Sequence, residues 1–237
     1  MITKLFLIMI LFLSAGLPGK EPDFYSMRKK MVEKQILDRN INDIRLLKAF
    51  MNVKRHLFVR PDLRSKSYGD YALDIGEGQS INEPYIVAIM TLVVGLEYDK
   101  KVLEIGTGSG YHCAILAELF KHVYTIERIE ALAKQAKKRL DGMGYKNIKF
   151  KIGDGYEGWE KYAPYDAILV TCSEDHIPVP LKEQLAVGGR LIIPVSYSSI
   201  VQELILLEKD SSGKLKKTHL IPVQFVPLIR DSVKSEE

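Results

Sequence analysis

From residue 101 to residue 195 short apolar runs alternate with stretches of helical periodicity, and that alternation leaves few folds open. Lys101-Val-Leu-Glu-Ile105 reads as a buried strand, 111–120 as a helix and 122–126 as a second strand. Residues 129–140 form an Ala-, Lys- and Arg-rich helix ended by Gly142 and Gly144. Further strands are expected at 148–152, 166–170 and 190–195, with a short helix at 181–185. Strands separated by helices pair in parallel, because a crossover returns the chain to the same edge of the sheet. The last two predicted strands, 201–208 and 223–228, have only the turn at Ser211-Ser-Gly213 between them, so the sheet should end in an antiparallel hairpin. The expected fold is α/β: a mostly parallel seven-stranded sheet with helices on both faces.

Upstream, Met27, Met31 and Ile36, then Ile44, Leu47, Phe50 and Met51, recur at helical spacing and predict two short helices, the second capped by Asn42 or Asp43. Residues 60–82, rich in Gly, Asp, Ser and Tyr, read as an irregular segment and not as a packed element; a stretch that long inside a domain is usually functional. Pro84 then opens an amphipathic helix through Val94. At the start of the chain Lys4, the apolar run 5–13 and Ser14-Ala15-Gly16 have the layout of a secretory leader, too short to span a bilayer comfortably, followed by a linker to Pro22. The expected organisation is a leader and linker over 1–22, then one domain over 23–237 with a helical cap at its N-terminal side.

With 46% apolar and 27% charged residues the chain has the composition of a folded globular protein. Its net charge of +4 is spread over local clusters such as Arg28-Lys29-Lys30, which argues for a solvated face and against a nucleic-acid footprint. Cys113 and Cys172 have neither zinc nor redox spacing and are expected as buried apolar residues; no metal site is expected. His56, His112 and His122 are read as packing or surface residues.

The chemistry lies at strand ends. Glu104-Ile-Gly-Thr-Gly-Ser-Gly-Tyr111 closes the first strand of the alternating region and opens a helix, where glycines let the backbone turn tightly against a ligand. A dinucleotide fingerprint would need glycine where Tyr111 stands; the pattern E-x-G-x-G-x-G fits instead. Glu127 ends the second strand, suited to the ribose hydroxyls of an adenosine, and Gly153-Asp154-Gly155 ends the third, suited to an adenine amino group. Three features at the carboxyl ends of three successive strands converge on one crevice.

The glycine loop resembles that of class I S-adenosylmethionine (AdoMet) methyltransferases, whose sheet is Rossmann-like. A closer resemblance covers about residues 25–230: Arg55-His-Leu-Phe-Val59, Val102 to Tyr111, Val123-Tyr-Thr-Ile-Glu-Arg128, Gly153-Asp-Gly-Tyr156, Ala163 to Thr171, Gln184 to Leu191 and Phe225-Val-Pro-Leu228 look like the protein-L-isoaspartate O-methyltransferase family, in its order. That resemblance implies an AdoMet-dependent enzyme that esterifies L-isoaspartyl carboxylates in damaged peptides and proteins. Gln79, Ser80, Ile81, Glu104, Gly106, Thr107, Gly108, Gly110, Glu127, Asp154 and Gly155 would then serve the cofactor. The family reads Gly-x-Gly-Gln-Thr-Ile-Ser before its Pro-initiated helix; this chain reads Gly76-Glu-Gly-Gln-Ser-Ile-Asn82, so Ser80 and Asn82 take the catalytic positions. Asn82 replaces the family's serine but can still donate a hydrogen bond to a carboxylate. Asp74, where the family has proline, is a second departure.

A carboxylate with a pKa of roughly 4 is ionised at neutral pH and attacks a sulfonium methyl without a general base. The protein must supply alignment and a closed, poorly hydrated site, for which 68–82 is the expected lid. Two other readings stay open: a related methyltransferase with a different acceptor, motivated by Asn82, and a non-catalytic AdoMet-binding protein outside the cytosol, motivated by the leader. AdoMet is a cytosolic metabolite, so the cytoplasm is the expected compartment, export the alternative, with no stable membrane insertion.

Overall fold

The computed structural model describes residues 22–198 and 200–230; the leader and most of the linker lie outside the described residues. Asp23 caps α1 (Phe24–Met31), which runs on through a π-turn at Val32–Ile36. Asp43 caps α2 (Ile44–Asn52), its carboxylate accepting from the Arg45 and Leu46 amides that the first turn leaves without partners.

The segment expected to be irregular contains a β-hairpin, β1 (Leu73–Gly76) against β2 (Gln79–Ile81), preceded by a 3₁₀ turn at Pro61–Lys66. This corrects the reading of 60–82 as lacking a packed element. Its two turn residues, Glu77 and Gly78, have φ of 55° and 69°, the left-handed pair that a tight hairpin requires. Asp74 fixes that turn: Oδ1 accepts from the Gly76 amide at 3.1 Å, while Oδ2 meets Arg60 Nη1 at 3.0 Å. Strands of four and three residues are too short to show alternation in a sequence.

Helix α3 (Pro84–Val93) leads into the large sheet, which comprises β3 (Lys101–Ile105), β4 (His122–Glu127), β5 (Ile148–Ile152), β6 (Tyr165–Val170), β7 (Leu185–Ser196), β8 (Gln202–Lys209) and β9 (Leu215–Val223), in the order β5-β4-β3-β6-β7-β8-β9. The first five strands pair in parallel, and β8 and β9 are antiparallel. The last strand therefore lies at 215–223 and not at 223–228. As an edge strand it leaves Lys216, Lys217 and His219 in solvent, so its sequence looks like a charged loop.

Successive residues of the central strands face opposite sides, so two cores form. Val102, Ala167 and Ile192 pack with residues of α1 to α3, with α4 (Tyr111–Leu119) and with Leu140 of α5 (Glu130–Gly142). Leu103, Ile168 and Leu191 pack with Leu181 of α6 (Val179–Glu183) and with Trp159 and Tyr162. Cys113 and Cys172 are both buried free thiols. Among the described residues no helix is long and apolar enough to cross a membrane.

The chain steps outward from β3 through β4 to β5, then returns to lay β6 on the other side of β3. The connections leaving β3 and β6 therefore diverge, opening a crevice beyond their carboxyl ends.

Candidate active site

An open cleft occupies that crevice. Its floor is the glycine loop after β3, represented by Ile105, Gly106 and Gly108; one wall is the end of β4, at Ile126, Glu127 and Arg128. Gln79 and Ser80 of the hairpin, Gly155 after β5, and Thr171 and Cys172 after β6 complete it, with Val226 to Ile229 across the mouth. Gly106 has φ +92°, and a Cβ built there would lie 2.4 Å from Thr171 Oγ1. Glu127 is buried, with Oε2 accepting from the Gly108 amide and Oε1 from the Ile129 amide, both at 2.8 Å. The carboxylate is thus held at the strand end with lone pairs left for further donors.

A second, smaller chamber adjoins the first, sharing Ser80, Gly106, Gly108 and Thr171 as walls. Ile81, Asn82, Thr107, Tyr111 and His112 line the rest of it. His112 Nε2 lies 2.8 Å from Thr91 Oγ1, which already donates to the Val87 carbonyl, so the ring donates through Nε2 and its Nδ1 is a bare lone pair. Burial pushes the His112 pKa down to about 3. At neutral pH it is an uncharged and very weak base.

The predicted site residues thus divide. Gln79, Ser80, Gly106, Gly108, Glu127 and Gly155 meet around the larger cavity, and Ser80, Ile81, Asn82 and Thr107 around the smaller. Gly110 starts α4 and faces Leu140 and Ala136, a packing position. Asp154 does not line the larger cavity; its Oδ1 accepts from the Tyr156 amide at 2.9 Å beside Gly155, which does. Thr171, His112 and 226–229 were not among the predicted site residues. Thr171 stands just beyond a strand end, a position that could have singled it out; 226–228 falls within the strand expected at 223–228.

Glu104 lines neither cavity. It is fully buried, its Oε2 accepting from Thr125 Oγ1 at 2.6 Å, and the Thr107 and Thr125 hydroxyls are 2.5 Å apart. Burial, opposed by bonds from Thr125 and Cys113, pushes its pKa up to about 8. The folded value exceeds the usual 4.5, so the native state holds the proton more tightly and loses stability as pH climbs through the window from 4.5 to 8. Glu104→Gln is expected to remove that slope and to gain on the parent at pH 8.5 by no more than about 5 kcal/mol. Urea midpoints at pH 5 and pH 8.5 check this; parallel pH profiles for the two chains would show that Glu104 folds ionised.

A parallel sheet with an inverted end, a glycine loop at the switch point and an acid closing the next strand define a class I AdoMet-dependent methyltransferase. The family model for protein-L-isoaspartate(D-aspartate) O-methyltransferase matches residues 26–233. A protein-L-isoaspartate O-methyltransferase of Synechococcus is 48% identical over 228 residues, 91% of this chain and 93% of that one. Its counterpart from Picosynechococcus is 51% identical over 203 residues, 86% and 90% of the two chains. A solved protein-L-isoaspartate O-methyltransferase superposes with a TM-score of 0.75 at 30% identity, over 84% of this chain and 65% of that one. A Plasmodium falciparum structure in complex with S-adenosyl-L-homocysteine gives a TM-score of 0.74 at 23% identity, over 89% and 100%, and shares the fold. The chain belongs to the protein-L-isoaspartate O-methyltransferase family.

Proposed function

We propose that this protein transfers the methyl group of AdoMet to the free carboxylate of L-isoaspartyl residues in damaged peptides and proteins. Family membership supports the reaction, and one observation favours an acceptor of this chemistry: the chamber beside the glycine loop offers no competent base. Its imidazole, His112, has a pKa of about 3, and burial pushes the Tyr111 hydroxyl well above its ordinary value. A hydroxyl or ammonium acceptor would need a proton removed before attack; a carboxylate arrives ionised.

The larger cavity suits AdoMet, because only the Cβ-free Gly106 leaves room beside Thr171 and Glu127 stands where ribose hydroxyls can donate. When bound, AdoMet supplies an electrophilic sulfonium methyl. Glu127 would hold the adenosine end and Gly155 would lie beside the base, with Asp154 preceding it in the same turn. Asn82 would donate its side-chain amide N–H to the acceptor carboxylate, and Ser80 lines both chambers. The hairpin and 226–229, which line the cleft, would cover the two ligands and limit water, so that attack could occur in line with the opposite charges neutralising in a poorly hydrated space. The described chain works as one domain, and nucleic acid is not its acceptor; radiolabelled AdoMet offered with isoaspartyl peptide, small carboxylic acids and RNA should label the peptide alone.

Asn82→Ser is expected to keep or raise the rate on isoaspartyl peptide, because a donor survives. Asn82→Leu should lower it at least tenfold, since a hydrogen bond to a charged group is worth about 1.5–3 kcal/mol. Equal initial rates for the parent and both variants would make position 82 a bystander.

The cytoplasm is the compartment we assign, because AdoMet is a cytosolic metabolite. N-terminal sequencing after cell fractionation checks it; a mature chain starting near Gly16 and found outside the cytoplasm would overturn the assignment.

A further inference from the structure

Arg55 opens the block Arg55-His-Leu-Phe-Val59, a segment to which the reaction above gives no task. It is a large cation with no exposed surface. Nε donates to the Ser67 carbonyl and Nη2 to the carbonyl of Asn82, each at 2.7 Å, and the guanidinium lies 4.7 Å over the ring of Tyr111. Asn82 and Tyr111 both line the small chamber. Nη1 and the Tyr111 hydroxyl form no well-aligned hydrogen bond, and the nearest polar group each acts on is the other.

The charge has no ion-pair partner in the protein. Among the described residues no carboxylate forms an ion pair with Arg55. The groups that act on it electrostatically are Tyr111, Glu83 and Tyr68, and both tyrosines have pKa values raised by burial, so they stay uncharged. Glu83, half-buried, is the one carboxylate among them and forms no ion pair with Arg55. A guanidinium cannot shed its proton to escape burial, unlike a lysine or histidine. An unpaired buried charge is strongly unfavourable and persists where something compensates it. If Arg55 served only to tie the Ser67 and Asn82 carbonyls together, a neutral amide could do it, and the charge would have no purpose.

We propose that Arg55 is the positioning cation for the acceptor: it holds Asn82 by its carbonyl and sets an unpaired positive charge behind the chamber, so that the site prefers an anionic group over a neutral isostere. This rests on the reading that the acceptor carboxylate sits at Asn82. The consequence is charge selectivity at the binding step, before methyl transfer. Because the cation is buried, the selectivity should resist salt, whereas attraction by the exposed Arg60 and Arg64 in the neighbouring groove would be screened.

The test is binding of an isoaspartyl peptide against its isosteric isoasparaginyl carboxamide, with S-adenosylhomocysteine present, in the parent and in Arg55→Lys and Arg55→Gln. The parent should prefer the carboxylate by about tenfold or more, an opposite charge being able to shift a carboxylate's ionisation by 1–3 pKa units. Arg55→Lys should keep most of that preference, and Arg55→Gln, which retains a donor for the carbonyl, should reduce it to about twofold. A preference that survives in Arg55→Gln, or is lost equally in Arg55→Lys, overturns the proposal. The parent alone decides the matter if the variants do not fold: the preference should stay within about twofold between 50 mM and 500 mM salt, and its loss at high salt would assign it to surface arginines. Asn82→Leu, run alongside, tests the underlying placement: an isoaspartyl affinity untouched by it contradicts the acceptor's position and leaves the charge effect standing.

Discussion

Gly106→Val is expected to abolish measurable methyl transfer, with AdoMet affinity falling by a factor of roughly a thousand. Two separate costs combine at this residue. A left-handed φ of +92° costs a non-glycine residue about 1–2 kcal/mol, more when it is β-branched. The new Cβ would also sit 2.4 Å from Thr171 Oγ1, a hydroxyl held in place by donating to the Ile105 and Gly106 carbonyls at 2.9 and 2.8 Å. The loop cannot simply give way, since the Gly106 amide is bonded to the Ile126 carbonyl at 2.8 Å, tying β3 to β4 at the cavity floor. Gly108→Ala should be milder, about tenfold, because its φ of +51° is closer to the tolerated region and its Cβ would find Ile75 at 3.4 Å. Calorimetric titration with AdoMet, alongside circular dichroism to confirm the fold, checks both. Combining Gly106→Ala with Thr171→Ala relieves the clash and leaves the dihedral cost, so only partial recovery is expected.

Glu127→Ala should weaken AdoMet by roughly ten- to a hundredfold, the value of about 1.5–3 kcal/mol for a hydrogen bond to a charged group. The carboxylate has two tasks that the substitution removes together. In the proposed function it receives ribose hydroxyls, and it already accepts from the Gly108 and Ile129 amides. Removing those bonds leaves two partly buried N–H groups unpaired and loosens the glycine loop, so thermal stability should fall as well. Asp154→Ala is expected to weaken AdoMet less, because Asp154 does not line the cavity and supports, through its bond to the Tyr156 amide, the turn that carries Gly155. Unchanged affinity in both variants would remove the cofactor from this crevice.

The interior of the fold was legible because its strands are buried on both faces. Val102-Leu-Glu-Ile105 and Ala167-Ile-Leu-Val170 are almost continuously apolar and end in residues with no packing reason to be there, so the site shows at the strand ends. Legibility failed at the margins. Strand β9 has one wet face and the hairpin β1–β2 spans few residues, so neither carries a hydrophobic period. Glu104 belongs to the motif by its letter, yet its side chain turns inward to Thr125, a direction set by the pleat of β3 and its neighbours. Arg55 is the clearest case: a lone arginine in a sequence reads as surface, and only tertiary packing reveals a cation enclosed between Ser67, Asn82 and Tyr111. The segment 226–229 borders the cavity through its fold-back beside Ser173, a contact more than fifty residues away in the chain.

The most direct test is methyl transfer from labelled AdoMet to a peptide containing one L-isoaspartyl residue and to its twin with normal L-aspartate at the same position. The two differ only in which carboxylate is free, so charge and composition cancel and the geometry of the Asn82 chamber alone discriminates. A base-labile methyl ester on the isoaspartyl peptide, formed at least about a hundredfold faster than on the aspartyl twin, corresponds to roughly 2.7 kcal/mol of differential transition-state binding and is the expected result. Equal labelling of both peptides, or labelling of neither by a chain that binds AdoMet, would contradict it.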